Sequence, residues 1–170
     1  MNSLNITWLT LLDDLITTGQ EVRPRGQPTR ELPSQQVVVD MRRPVLTIPD
    51  RKLSYRFMAA EAHWILSGDH TTKGIVPWNP RIAAFSDDGE TFFGAYGPKV
   101  LGQMDHVVRS LTEDPDSRQA GLTIWRENPP PSKDVPCTVA LFFHVRGPEP
   151  LRLRCHAFMR SSDAWLGLPY

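Results

Sequence analysis

The stretch TVALFFHVRGPEPLRLRCHAF, which runs from Thr138 to Phe158, decides the fold. Its two halves, Thr138 to Val145 and Leu151 to Phe158, are rich in β-branched, aliphatic and aromatic residues, which is typical of strands. The segment between them contains one glycine and two prolines and cannot continue either strand. The pattern therefore predicts a β-hairpin.

Working outward, the periodicity of apolar residues predicts further helices and strands. The predicted helices are 4–18, 54–67 and 100–111, and the predicted strands are 37–39 and 121–125. We predict a basic loop over 20–34, exposed unless a ligand orders it, because the segment holds three prolines and one glycine. We predict a loop-rich segment over 69–99, which holds three prolines and four glycines. These elements indicate the α+β class, with helices packed against a sheet in one domain.

The composition is that of a globular protein with balanced charge. Of 170 residues, 40% are apolar, and the 19 Lys plus Arg equal the 19 Asp plus Glu. Nucleic-acid-binding domains usually carry a basic excess, so we expect no nucleic acid partner. No apolar run reaches the roughly 18 residues of a membrane helix, and the first residues lack the features of a secretory signal. We therefore expect a cytoplasmic protein with no membrane partner.

Cys137 is the candidate nucleophile. It follows a proline-rich loop at the start of a predicted strand, where a side chain can face a cleft. A thiolate is a strong nucleophile, and nearby arginines favour the charged form. The alternative is a small buried apolar side chain, which is the role that we assign to Cys155. Two cysteines exclude a disulfide framework, and no Cys or His spacing predicts a metal site.

Charged residues supply the other candidates for chemistry. Arg25 lies in the basic loop and Arg118 follows a predicted turn, while Arg160 directly precedes Ser161. Guanidinium groups with a hydroxyl suit a phosphate clamp, although each arginine could equally be a solvated surface residue. Glu61 lies on an apolar helix face, where a partly desolvated carboxyl suits a general acid or base; the alternative is a glutamate that points to water.

Six motifs follow one another along the chain. They are GQEVRPRG over 19–26, EAHWILSGD over 61–69, GAYG over 94–97, DPDSR over 114–118, VPC over 135–137 and RSSDAWLGLPY over 160–170. In this order they resemble the motifs of thymidylate synthase and of its relatives, the deoxypyrimidine hydroxymethylases. The third resembles the family's G-x-x-Y-G, the fifth its P-C nucleophile site, and the last its R-S-x-D-x-x-L-G-x-P-F.

The resemblance implies a fold and a subunit arrangement. The fold would be α+β, a thymidylate synthase-like three-layer fold with a mixed sheet packed by helices. The family continues beyond the last motif, so we expect residues 1–170 to be the N-terminal two-thirds of a single catalytic domain. Part of the sheet would then be exposed. The resemblance also implies a homodimer, because the arginine that matches Arg118 reaches the phosphate bound by the neighbouring subunit.

The resemblance further implies one-carbon transfer to C5 of a pyrimidine nucleoside monophosphate, dUMP or dCMP, with 5,10-methylenetetrahydrofolate as cosubstrate and no metal. Cys137 would add to C6 of the base, which makes C5 nucleophilic. The other implied roles are proton transfer by Glu61, lining of the pocket by Tyr96, contact with the base or folate by Asp163, contact with folate by Trp64, and phosphate binding by Arg25, Arg118, Arg160 and Ser161.

Three departures from the thymidylate synthase pattern favour hydroxymethylation over methylation. Thr138 stands where thymidylate synthases usually have His, and Gln119 where they usually have a second Arg. IAAFSDDG over 82–89 replaces a tryptophan-rich segment, and all three features look more like the phage-type hydroxymethylases. The alternatives are reductive methylation of dUMP, a catalytically silent nucleotide-binding or assembly module, and an unrelated α+β fold with chance matches.

Overall fold

The computed structural model describes residues 3–149 and 151–170. They form two compact units, one of which consists of the chain up to Leu53 together with Ser162–Tyr170. The other unit is Ser54–Ser161. None of the helices in the described ranges has the length and apolar character needed to cross a membrane.

The first unit is built on helix α1, Ser3–Thr18, as the sequence predicts. Leu4 and Trp8 of this helix are buried against Leu46. The indole N–H of Trp8 donates a hydrogen bond of 2.6 Å to the carbonyl of Ala164, so the buried tryptophan has a polar partner. This bond ties the C-terminal segment to α1.

A small antiparallel hairpin follows α1, with strands β1, Gln20–Val22, and β2, Thr29–Glu31. The prediction of a basic loop over 20–34 was therefore wrong for the residues of these two strands. Their short, polar sequences carry no alternating pattern, and the pairing is stabilised by backbone hydrogen bonds rather than by buried side chains. The turn between the strands holds a 3₁₀ helix, Pro24–Gly26.

The strand predicted at 37–39 is absent, and the segment is irregular. Val37 packs on the core of the first unit, but Val38 is 75% exposed. β-branched residues favour strands only where a neighbouring strand accepts their hydrogen bonds, and this run has no such neighbour in the described chain. The local propensity was therefore misleading.

The second unit begins with helix α2, Tyr55–Leu66, which confirms the prediction for 54–67. The hydroxyl of Ser54 caps its N-terminus by accepting the N–H of Phe57 at 3.3 Å. Helix α3, Thr72–Ile75, is short and lies in the segment predicted as loop-rich, together with a 3₁₀ helix at Pro80–Phe85. The buried cluster of this part is Phe57, Trp64, Ile75, Phe92 and Ala95.

Helix α4, Gly97–Glu113, packs on an antiparallel sheet of three strands, which are β3, Gly121–Thr123, β4, Thr138–Arg146, and β5, Arg152–Met159. Val100 and Val107 of the helix are buried against Leu122 and Ile124, and each such buried side chain contributes about 1.5–3 kcal/mol. The predicted hairpin, the helix over 100–111 and the α+β class are confirmed. Every strand pairing in the described ranges is antiparallel.

Strand β5 is open to solvent along its whole length, so the prediction that Cys155 is a small buried apolar side chain was wrong. Leu153 is 65% exposed and Phe158 59% exposed, and Phe158 lies edge to face with Phe142 of β4. The sheet thus has an apolar, aromatic area that nothing in the described chain covers.

Candidate active site

Cys137 lies immediately before β4, with its thiol partly buried. Two side chains approach the sulfur atom. The hydroxyl of Ser161 donates to Sγ at 3.6 Å, and Nη2 of Arg160 lies 4.0 Å from Sγ. A hydroxyl donor and a guanidinium group beside the sulfur are surroundings that suit a nucleophilic cysteine. The role of Cys137 as the nucleophile stays a prediction.

The pairing of β4 with β5 brings these three residues together. The N–H of Arg160 donates to the carbonyl of Cys137 at 2.9 Å, which extends the hairpin by one bond beyond the strands. The register shifts between Thr138 and Ala140, so Val139 is an extra residue in β4. A bulge of this kind re-aims the side chains beside it, and here it directly follows the nucleophile.

The guanidinium group of Arg160 is anchored to the loop before Cys137. Its Nε donates to the carbonyl of Pro136 at 3.0 Å, and Nη2 donates to the carbonyl of Val135 at 2.9 Å. The Nη1 group has no hydrogen-bond partner in the described chain. A guanidinium that is held on one side and open on the other suits the binding of an anion next to the sulfur.

Tyr96 is connected directly to the backbone of the nucleophile segment. It lies just before α4, and its phenolic oxygen accepts the N–H of Thr138 at 3.2 Å. The phenolic proton remains available to a ligand. That Tyr96 lines the pocket stays a prediction. Its hydroxyl is bonded to the backbone of Thr138, the residue that follows Cys137.

The GAYG turn that carries Tyr96 packs closely on the loop before Cys137. Gly94 donates its N–H to Oδ2 of Asp134 at 2.8 Å. A β-carbon at Gly94 would collide with the backbone carbonyl of Asp134, so only glycine permits this approach. Burial raises the pKa of Asp134. Asp134 is not among the residues predicted from the sequence, because a lone aspartate in a polar loop carries no signal.

Glu61 lies on α2 and is partly buried. Desolvation raises the pKa of its carboxyl group, as the apolar helix face predicts. Its carboxyl makes no hydrogen bond or ion pair with another described residue. A carboxyl of this kind exchanges protons near neutral pH more readily than an ordinary surface glutamate.

Trp64, predicted to contact folate, is a core residue of the second unit. Its side chain is buried, its ring meets Phe92 edge to face at 5.7 Å, and its indole N–H donates to the carbonyl of Thr71 at 3.1 Å. The folate contact of Trp64 stays a prediction. In the structure its role is packing.

The remaining predicted residues are exposed. Arg118 lies in the second unit just after the turn that ends α4. Arg25 and Asp163 belong to the first unit. Arg25 occupies the turn of the β1–β2 hairpin with φ of 54°, and Oδ1 of Asp163 accepts the N–H groups of Trp165 and Leu166 at 2.8 and 2.7 Å. Their ligand contacts stay predictions.

The site thus combines a partly buried thiol with a hydroxyl and a guanidinium group beside it, carried on an α+β fold. No group of three or more His, Cys, Asp or Glu side chains suited to a metal ion occurs in the described ranges.

The family model for thymidylate synthase matches residues 6–170. The chain therefore belongs to the thymidylate synthase family, as its ordered motifs indicate.

Relatives include both enzyme types that the motifs suggest. The chain is 27% identical to deoxyuridylate hydroxymethyltransferase of Bacillus phage SP01, over 94% of this chain and 46% of the relative. It is 25% identical to thymidylate synthase of Buchnera aphidicola subsp. Schizaphis graminum, over 96% of this chain and 66% of the relative. The chain thus spans about half to two-thirds of the length of these relatives.

A solved structure has the same fold. The crystal structure of thymidylate synthase from T4 phage superposes with a TM-score of 0.76 at 23% sequence identity. The match covers 95% of this chain and 64% of that chain. This likeness confirms the thymidylate synthase-like α+β fold.

Proposed function

We propose that this chain serves folate-dependent one-carbon transfer to C5 of a pyrimidine nucleoside monophosphate, with Cys137 as the nucleophile. The observation that carries the proposal is the convergence of Ser161 Oγ and Arg160 Nη2 on Cys137 Sγ, at 3.6 and 4.0 Å. This convergence occurs on two segments that resemble the nucleophile and phosphate motifs of the family.

The first step is addition of the Cys137 thiolate to C6 of the pyrimidine. The new S–C6 bond takes its electron pair from sulfur, and C5 becomes nucleophilic. Tyr96 stabilises the backbone next to the sulfur. The open Nη1 group of Arg160 binds the 5′-phosphate, with Arg25 as a further ligand, and this anchoring holds C6 within reach of the sulfur. The Ser161 hydroxyl has one proton, so it turns from Sγ to the phosphate when the nucleotide binds.

Proton transfers are assigned to Glu61. Its raised pKa keeps a larger protonated fraction near neutral pH than a surface glutamate has, so it can both give and take a proton. The proton that leaves C5 is the one that we assign to it, directly or through water. An ordinary exposed carboxylate would be a weaker acid catalyst at the same pH.

The cosubstrate 5,10-methylenetetrahydrofolate, when bound, would supply the one-carbon unit. Asp163 fits a pterin ring, because it is an exposed carboxylate that can accept N–H groups. Trp64 fits less well, because its indole N–H is already bonded to Thr71. We therefore assign the folate contact to Asp163.

Hydroxymethylation is the branch that we favour. Thr138, which replaces the usual His after the nucleophile, is buried and donates its N–H to Tyr96. Gln119 and the segment 82–89 also depart from the thymidylate synthase pattern and look more like the phage-type hydroxymethylases. The relative from phage SP01 bears the name of a hydroxymethyltransferase, which supports this branch.

Free thiols at Cys137 and Cys155 suit a reducing, cytoplasmic setting.

A homodimer is the subunit arrangement that we propose. The uncovered face of β4 and β5 presents Phe142 and Phe158, and burial of such an area against a second copy would be favourable. Arg118 would then reach the nucleotide of the partner. Sedimentation of Phe158→Glu tests this arrangement: a monomer is expected, and an unchanged dimer would place the interface elsewhere.

The test of the reaction is release of tritium from C5-labelled dUMP and dCMP in the presence of 5,10-methylenetetrahydrofolate. We expect release from one of the two nucleotides without formation of dihydrofolate, which absorbance monitors. Release with dihydrofolate would indicate methylation. Calorimetric binding of nucleotide without release would indicate a silent binding module, and absence of both would overturn the proposal.

A further inference from the structure

The indole ring of Trp125 lies against the guanidinium group of Arg160. The Cζ atom of Arg160 is 5.5 Å from the centroid of the Trp125 ring, within the range of a cation–π contact. Trp125 is partly buried and lies outside all six motifs. None of the steps proposed above uses it.

The backbone of Trp125 is tied to the strand of the nucleophile. The N–H groups of Ile124 and Trp125 both donate to the carbonyl of Val139, at 2.9 and 3.0 Å. Val139 is the bulge residue, two positions after Cys137. The backbone that carries the indole is therefore fixed relative to the strand that follows Cys137.

Arg160 gains a third constraint from this ring. Its hydrogen bonds to Val135 and Pro136 use donors at the edge of the guanidinium plane, whereas a cation–π contact adds an attraction toward the indole. Arg160 is otherwise exposed, and a long exposed side chain has many rotamers. Hydrogen bonds from Nε and Nη2, together with an aromatic ring near Cζ, favour one position of the guanidinium while Nη1 stays open.

We propose that Trp125 is a positioning residue, whose indole holds the Arg160 guanidinium so that Nη2 faces Cys137 Sγ while Nη1 stays open to an anion. The proposal rests on the function assigned to this site. It predicts that loss of the ring weakens the reactivity of the thiol and the binding of phosphate together, because one guanidinium serves both.

The experiment measures alkylation of Cys137 by iodoacetamide in a Cys155→Ser background, where Cys137 is the only thiol. In Trp125→Leu we expect the rate near pH 7 to fall about 3–10-fold, and the pH–rate profile to move to higher pH. Protection by inorganic phosphate should require correspondingly more phosphate. Trp78→Leu is the control, because Trp78 is another tryptophan of the same unit, 54% exposed, and its loss should change neither quantity.

A double-mutant cycle separates positioning from general packing. In an Arg160→Met background, Trp125→Leu should change the alkylation rate less than about 2-fold, since no guanidinium remains to be positioned. An equal loss in both backgrounds, or an unchanged profile in Trp125→Leu, would overturn the proposal. If circular dichroism shows that Trp125→Leu is unfolded, Trp125→Phe carries the same comparison with an expected loss of about 2-fold.

Alkylation does not depend on turnover, so this test stands apart from the tritium assay. A Trp125 effect on the thiol without any tritium release would retain the positioning role and reject the proposed reaction. Tritium release with no effect of Trp125→Leu on alkylation would retain the proposed reaction and reject the positioning role.

Discussion

Arg160 and Arg25 are both expected to bind the same phosphate, yet the structure fixes them to different degrees. Arg160 is anchored by the carbonyls of Val135 and Pro136 and by the ring of Trp125. Arg25 is exposed in the turn of a small hairpin, with φ of 54°. A preformed group loses little freedom on binding, whereas an exposed one must be ordered by the ligand. We therefore expect the Cys137 region to determine reactivity and the hairpin to contribute affinity.

The largest expected effect comes from removal of the nucleophile. Cys137→Ala should lower tritium release by at least about 10³-fold, because no other described side chain can replace the sulfur. Nucleotide binding, measured by calorimetry, should stay within a few-fold of wild type. Cys155→Ser is the matched control and should keep normal release. Residual release in Cys137→Ala above this level would remove Cys137 from the mechanism.

Glu61→Gln should also act on chemistry rather than affinity. We expect release to fall about 10²-fold, the scale of general acid–base catalysis, with little change in nucleotide binding. An unchanged rate would show that another group carries the protons.

The same variant makes a prediction about stability with the sign fixed by the pKa shift. Because burial raises the pKa of Glu61 in the folded state, folding favours the protonated form, and stability falls as pH rises through the folded pKa. Glu61→Gln removes this penalty. Its melting temperature should exceed that of wild type by roughly 1–3 °C near pH 8 and match it below about pH 4. A gain that is independent of pH would contradict this account.

Replacing each arginine by methionine tests the comparison directly. Arg160→Met should slow iodoacetamide alkylation of Cys137 and raise the KM for nucleotide, each by about 10-fold or more, the scale of a charge-assisted contact. Arg25→Met should raise KM by about 5-fold and leave alkylation unchanged. If Arg25→Met slowed alkylation as much as Arg160→Met, the proposed division of roles would fail.

The smallest effect is expected from Tyr96→Phe. Loss of the hydroxyl leaves the N–H of Thr138 without its partner, at a cost of about 0.5–1.5 kcal/mol. The melting temperature should fall by a few degrees, and release should decrease about 2–10-fold. No change in either quantity would mean that water replaces the phenol without cost.

The parts of the fold that the sequence predicts well are those with a strong apolar pattern. Helix α4 and the β4–β5 hairpin follow from the periodicity of residues such as Val100, Val107 and Phe143. The β1–β2 hairpin escapes prediction because Gln20–Val22 and Thr29–Glu31 are polar, and the valines at 37–39 mislead because strand formation depends on a partner that local sequence does not specify.

Some residues of the candidate site can be predicted from the sequence, and others are found only in the structure. Cys137, Arg160 and Ser161 lie in recognisable motifs, and the structure brings them together. Trp125 and Asp134 could not be found from sequence, because their contacts depend on the bulge at Val139 and on the close approach of the GAYG turn. These are properties of the backbone path, which residue types alone do not reveal.

Competition between the two thiols of the unmodified chain tests most sharply whether Cys137 is an activated nucleophile. Cys155 is exposed on the open strand, but desolvation by its neighbours raises its pKa, whereas Cys137 is partly buried beside a guanidinium and a hydroxyl. Competitive labelling with limiting iodoacetamide near pH 7, followed by peptide mass spectrometry, reports both rates in one sample. We expect Cys137 to react at least about 10-fold faster than Cys155. Equal labelling, or faster labelling of Cys155, would contradict it.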